Sequence, residues 1–212
     1  GDGLLRQDLC AEAIRLGGLL LGEPRTAHPN VHALLALMCL QAARFGTRGD
    51  ETDLVLLRDQ DRAQWDRRLI TRGMRHLDHA IAGDEISRWH VEAALAAEHA
   101  TAPSWRDTNW RRIVELYDDL HRLAPSPVVA LNRAVAVAQR DGATSGLAAL
   151  AELADDPRLD GFHRLHAVEA ELLVDLGERE RAREAFTRAL ACPCSAAERA
   201  YLERRVATLL QS

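Results

Sequence analysis

At 212 residues the chain is long enough to bury a core, as one large domain or two small ones. Its formal net charge of −5 argues against a piece that wraps nucleic acid by itself, because duplex binding needs a basic face; a basic partner is not excluded. Aromatic residues are only 4% while Ala, Leu, Arg and Glu abound, a bias that favours helix over strand. In chain order, Leu5, Leu9, Ala13, Leu16 and Leu20 recur at three- and four-residue steps, with Ile14 and Leu19 widening the stripe. This spacing predicts an amphipathic helix from about residue 4 to 21, ended by Gly22 and Pro24. A second helix starts near Pro29 and runs from Val31 to Phe45 with almost no charge before Arg44, so it should be buried on most sides. The two should form an antiparallel pair. Gly46, Gly49, Asp50 and Glu51 mark an exposed loop.

The stretch Leu54-Val-Leu-Leu-Arg-Asp-Gln-Asp-Arg-Ala-Gln-Trp-Asp66 divides the chain. Four apolar residues run straight into Asp59, Gln60, Asp61 and Arg62, and Trp65 follows. Asp61 is placed to cap a helix, and Arg62 with Asp59 to close an ion pair beside the indole. Two readings stand: a capped helix entry with a tryptophan for packing, or a docking surface, since Trp and Arg dominate binding hot spots. The helix expected from Trp65 to about Ile81 would bury Trp65, Leu69, Gly73, Leu77 and Ile81, with Gly73 permitting a close helix contact. Arg68, Arg72, Arg75 and His79 line its other side, either as a solvated stripe or as a surface for an acidic partner.

Gly83-Asp84-Glu85 is a turn, Ile86 to Ala100 an alanine-rich helix, and Ala102-Pro103-Ser104 a break. Asp107 or Thr108 then caps a helix running to about Ala124. From here the chain repeats. Ile113-x3-Tyr117-x2-Leu120 is followed at about 34-residue intervals by Leu147-x3-Ala151-x2-Ala154 and Ala182-x3-Phe186-x2-Ala189-Leu190, with Pro125, Pro157 and Pro193 after each. This period resembles the second helix of a tetratricopeptide repeat: a small residue lets two helices approach, an aromatic fills the gap, and Pro ends the helix. The matching small positions of the first helices are Val135 and Ala170, and Thr101 in an irregular first repeat. A final helix, Ala196 to Leu210, would cap the stack. In the helix Pro127 to Gln139, Asn132 and Arg133 interrupt an apolar run. Asn132 would either bind a peptide main chain on a concave face or bond a neighbouring helix.

The sequence therefore predicts an all-α chain: an N-terminal helical region over residues 1–82, then tetratricopeptide-like repeats over 83–212 forming a short α-solenoid, packed as one continuous domain. No apolar run reaches ~18 residues without a charge, so no membrane span is expected. The start lacks a signal-peptide shape and an initiating Met, reading as a fragment or processed product. Cys10, Cys39, Cys192 and Cys194 are too few and too oddly spaced for a disulfide framework, and a reducing cytoplasm fits best. Phosphate loops, dinucleotide fingerprints and nucleophile elbows are missing from the sequence. His76-x2-His79 and His163-x2-His166 can each share a helix face, and Asp59 alternates with Asp61, but neither pattern completes a metal frame. Neither a cofactor nor a catalytic constellation is expected.

Several blocks carry a resemblance. They are Leu4-Leu-Arg-x-Asp-Leu-x-x-Glu-Ala-Ile-Arg-Leu16, His32-Ala-Leu-Leu-Ala-Leu-Met38, Leu57-x-Asp-Gln-Asp-Arg-x-x-Trp-Asp66, Pro125-Ser-Pro-Val-Val-Ala-Leu-Asn-Arg-Ala-Val-Ala136 and Ala197-Glu-Arg-Ala-Tyr-Leu-Glu-Arg-Arg205. Together they resemble the C-terminal extension of an extracytoplasmic-function RNA polymerase sigma factor, over essentially the whole chain. The Cys192-Pro-Cys194 pair departs from the polar turn expected there. The resemblance implies a parent protein that directs core RNA polymerase to promoters, touching DNA only through upstream sigma regions. This piece would be a non-enzymatic, cytoplasmic regulatory extension contacting those regions. Asp59, Asp61, Arg62, Trp65, Arg68, Arg72, Asn132 and Arg133 are the candidate protein contacts. The alternative is a general peptide-binding scaffold with an external partner.

Overall fold

The computed structural model describes residues 2–49 and 54–211, with side chains from residue 7. Among the described residues the chain is all-α, with ten α-helices and no strand. It divides into two compact units: the first takes in the described residues up to Gly49 and Val55–Arg112, and the second those from Ile113 onward together with Leu54.

In the first unit, α1 (Asp2–Leu21), α3 (Arg67–Ala80) and α4 (Arg88–Thr101) all pack on α2 (Pro29–Ala42). The central position of α2 follows from its composition: a helix without a charged face finds a partner on every side. His28 caps it, its Nδ1 accepting from the Asn30 N–H, and Pro29 takes the first turn, where no N–H is needed. The covered edge of α1 is Cys10, Ile14, Gly17 and Leu21, seated on Leu35 and Cys39 of α2. Leu9, Leu16 and Leu20 face outward instead, so the most regular stripe of the helix is not its core stripe. Gly17 explains the choice, since a Cβ there would come within 2.6 Å of Leu35 Cδ2, a spacing only glycine permits. The side chain of Leu5 and the acidic pair Asp50 and Glu51 lie outside the described residues. The loop before them begins as a 3-10 turn, Phe45–Thr47.

The third helix begins two residues later than its periodicity suggests. Asp66, not Asp61, is its N-cap, accepting from the Arg68 and Leu69 N–H groups. Asp61 caps only the 3-10 turn Arg62–Gln64. Trp65 is buried ahead of the helix, Ile70, Gly73 and Ala80 form the buried edge, and Ile81 is exposed. A Cβ on Gly73 would meet Leu40 Cγ at 2.7 Å and the Ala36 carbonyl at 3.2 Å, so α3 and α2 touch through it as its mid-helix position foretells. The fourth helix belongs with this group: Ala97 and Ala100 pack with Leu40, Ala43, Trp65 and Ile70. That packing carries the first unit some thirty residues past the expected division at 82.

The helix α5 (Trp110–Leu123) is capped by Asn109, whose side chain accepts from the Arg112 N–H. Asp107 is taken by Ser104, and Thr108 is buried, so neither of the expected caps serves. The second unit continues with α6 (Pro127–Asp141), α7 (Ala143–Ala151), α8 (His163–Asp175), α9 (Arg179–Ala191) and α10 (Ala196–Gln211). Helices α6 and α7 pair, α8 and α9 pair, α7 packs on α8, and α10 closes on α9. This is the expected short solenoid with its capping helix. Ala182, Ala185, Phe186 and Ala189 are fully buried at its centre with Ala170 and Leu202. The middle repeat departs from the pattern: α7 stops at Ala151, leaving Ala151 and Ala154 exposed, and buries Gly146 and Leu150. At the end of α8, Gly177 takes φ 76°, and Gly177 and Glu178 N–H donate to the Val174 and Leu173 carbonyls, a glycine-terminated cap that turns the chain into α9.

Candidate docking site around the Asp-Gln-Asp-Arg segment

Residues 57–66 pack as a plug against the ends of α2 and α4. Arg62 is only 7% exposed. Its guanidinium donates to the carbonyls of His99 (2.9 Å) and Ala102 (3.0 Å) and to Thr108 Oγ1 (3.1 Å). Those carbonyls are the unsatisfied end of α4, where the helix dipole is negative, so a buried cation suits the place. Burial pulls the Arg62 pKa down and nearby Asp107 opposes that pull. The guanidinium also lies 5.3 Å from the centroid of the Trp65 ring. Trp65 is 3% exposed, and its indole N–H donates to Thr47 Oγ1 at 3.0 Å. Gln60 is buried too, donating to the Val55 carbonyl at 3.2 Å.

The alternation in this segment is thus one of depth. Gln60, Arg62 and Trp65 point inward; Asp59 and Asp61 stay exposed. Asp59 pairs with Arg58 at 3.6 Å rather than with Arg62, because Arg62 is occupied inside. The Asp61 carboxylate accepts from Gln64 Nε2 (3.0 Å) and the Ala63 N–H (2.9 Å), and these two bonds hold its pKa below the usual range. Of the two readings of the segment, packing governs Arg62 and Trp65. Of the candidate contacts in the segment, Asp59 and Asp61 remain at the surface.

Arg68 and Arg72 are exposed on α3, in the same unit. Asn132 and Arg133 belong to the second unit. Asn132 is exposed on α6, and Arg133 is tied to Asp118 at 2.6 Å.

Periodicity did not find the aromatic group beside Arg62. Trp105 stacks on His99 with centroids 6.0 Å apart and planes at 9°, and Trp110 meets Trp105 edge-on at 4.4 Å. Two of the four tryptophans standing five residues apart in an aromatic-poor chain were the available signal. His99 Nδ1 is buried without a hydrogen-bond partner. Burial, then the charges of Arg62 and Arg44, lower the His99 pKa to about 4, so the ring is neutral at pH 7. A second cluster joins α2 to α3: His32 Nδ1 and His76 Nδ1 are 3.1 Å apart, and His79 stacks obliquely on His32. Among the described residues no group of three metal-capable side chains is arranged as a metal site.

In the second unit, the His163 and His166 pair faces carboxylates instead of each other. His163 Nε2 is 3.2 Å from Glu198 and His166 Nδ1 3.7 Å from Glu169. Glu198 closes a capping box with Ser195 at the start of α10 and receives Arg164 at 2.8 Å. Burial pushes its pKa up, but the bonds from Ser195 and Arg164 and the neighbouring His163 win and bring it down to about 2. Glu171 of α8 accepts from Tyr201 and Arg205 of α10, clamping the last helix in place.

Residues 1–81 match a family described as a family of unknown function (DUF6596). The chain is also similar to an uncharacterized protein of Rhizobium meliloti (strain 1021), 42% identical over 200 residues. That match covers 94% of this chain and 47% of the relative, so the chain spans about half the length of the curated protein it matches. No solved structure matches it. No helix among the described residues is long and apolar enough to cross a membrane.

Proposed function

We propose that the chain is a non-enzymatic regulatory module of a longer protein, and that the longer protein is a sigma factor of the extracytoplasmic-function type. In this reading the parent directs core RNA polymerase to promoters in the cytoplasm. The 212 residues modulate it by contact with the upstream sigma regions, which alone touch DNA. The observation that carries the reading is the Asp59-Gln-Asp-Arg62-x-x-Trp65 block, read together with Asn132-Arg-Ala-Val-Ala136. In the first block the inward residues hold a helix end, while Asp59 and Asp61 lie at the surface, where a partner could reach them. Coverage of about half a longer relative fits a module of a longer protein.

The test is transcription in vitro by the parent protein lacking these residues, with the 212-residue chain titrated back in trans. A saturable change in transcript yield supports the reading, and no change at any concentration contradicts it. A second reading, a peptide-binding scaffold for an external partner, is favoured by the exposure of Asn132 on the first helix of a repeat pair. Binding of an unrelated peptide, weakened by Asn132→Ala and without effect on transcription, would select that reading.

A further inference from the structure

We infer that the outward seam of α1 is a docking face for an amphipathic helix of the same polypeptide, from the part of the full-length protein outside these 212 residues. This rests on the proposed reading that the chain is a module acting on the rest of its own protein. Leu9, Leu16, Leu19 and Leu20 are 62%, 49%, 59% and 47% exposed. A single exposed leucine needs no explanation, but these fall along one side of one helix at the three- and four-residue steps with which helices pack lengthwise. The covered edge, Cys10, Ile14, Gly17 and Leu21, lies beside that seam. The helix is therefore apolar around a wide arc of which α2 covers one part. Glu12, which stands between Leu9 and Leu16 along that side, is paired with Arg15 at 2.6 Å.

The size of the seam selects its occupant. Four half-exposed leucines present about a few hundred Å², well short of the roughly 800 Å² each partner contributes to a stable complex between separate molecules. A helix tethered in the same chain meets the seam at an effective concentration of about millimolar, so a small contact suffices. More than half of the matched relative lies outside the aligned region, which is room for such a helix.

The test is amide hydrogen exchange in α1, compared between the 212-residue chain and the full-length polypeptide its gene encodes. The α1 amides are expected to exchange at least tenfold more slowly in the full-length protein, while those of α3 stay the same. Leu16→Glu should abolish that slowing and leave the melting temperature of the 212-residue chain unchanged. Equal exchange in the two proteins overturns the inference. So does a reading frame that codes for nothing further, or a dimer of the 212-residue chain that Leu16→Glu dissolves. Protection of α1 with unaltered transcription would keep the docking face and remove the sigma-factor reading. Altered transcription with α1 equally open would do the reverse.

Discussion

The Arg62 guanidinium donates to the His99 carbonyl at 2.9 Å, joining a 3-10 turn to the end of a helix 37 residues on. It is a buried cation whose bonds go chiefly to backbone, so its loss would strand the α4 carbonyls as well as the space it fills. Arg62→Met should destabilise the chain by roughly 3 kcal/mol, and Arg62→Lys by a large part of that, because an ammonium cannot span His99, Ala102 and Thr108 from one plane. Urea unfolding followed by circular dichroism measures both.

Gly73 and Gly18 should respond to alanine with opposite signs. At Gly73 a Cβ meets Leu40 and the Ala36 carbonyl; at Gly18 its nearest neighbour is the flexible end of Arg72, at 3.9 Å. Gly73→Ala should cost about 1–3 kcal/mol through overpacking. Gly18→Ala should gain up to about 1 kcal/mol of helix propensity. Equal effects would show that α2 and α3 are not in close contact.

His99 titrates near 4 in the folded chain against an ordinary value of 6.5. The folded state thus resists a proton that the unfolded state takes up readily. Stability is full above pH 6.5 and falls as the pH drops toward 4, by on the order of 3 kcal/mol at most. His99→Phe should flatten this part of the stability profile measured by urea unfolding at each pH.

Glu198 acts at a lower range. Its pKa of about 2 lies below the ordinary 4.5, so its stabilising contribution is complete above pH 4.5 and is lost as the pH falls toward 2. Glu198→Gln should lower stability at pH 7 and reduce the acid loss in that window.

Much of this architecture was legible from spacing. The start of α2, the boundaries of α10, the role of Gly73 and the Ala182, Phe186, Ala189 core all follow from periodicity and residue size, whereas α2 ends at Ala42, three residues short of Phe45, which lies in a separate 3-10 turn. The face of α1 did not, because a helix apolar over a wide arc offers two stripes, and only the position of Leu35 opposite Gly17 selects between them. Asp61 and Asp66 both carry a capping side chain, and the choice depended on Trp65 being drawn inward by Thr47. The partners of Arg62 lie 37 to 46 residues away and carry no local mark. The tertiary site was therefore visible as an unusual segment and not as a geometry.

The most direct measurement is promoter-dependent transcription by purified RNA polymerase with the full-length protein and with a version lacking these 212 residues. The account expects transcript yield to differ severalfold between them, and Asp59→Ala with Asp61→Asn to shift it in the direction of the deletion while the chain stays folded. Equal yields from the full-length and shortened proteins would contradict it.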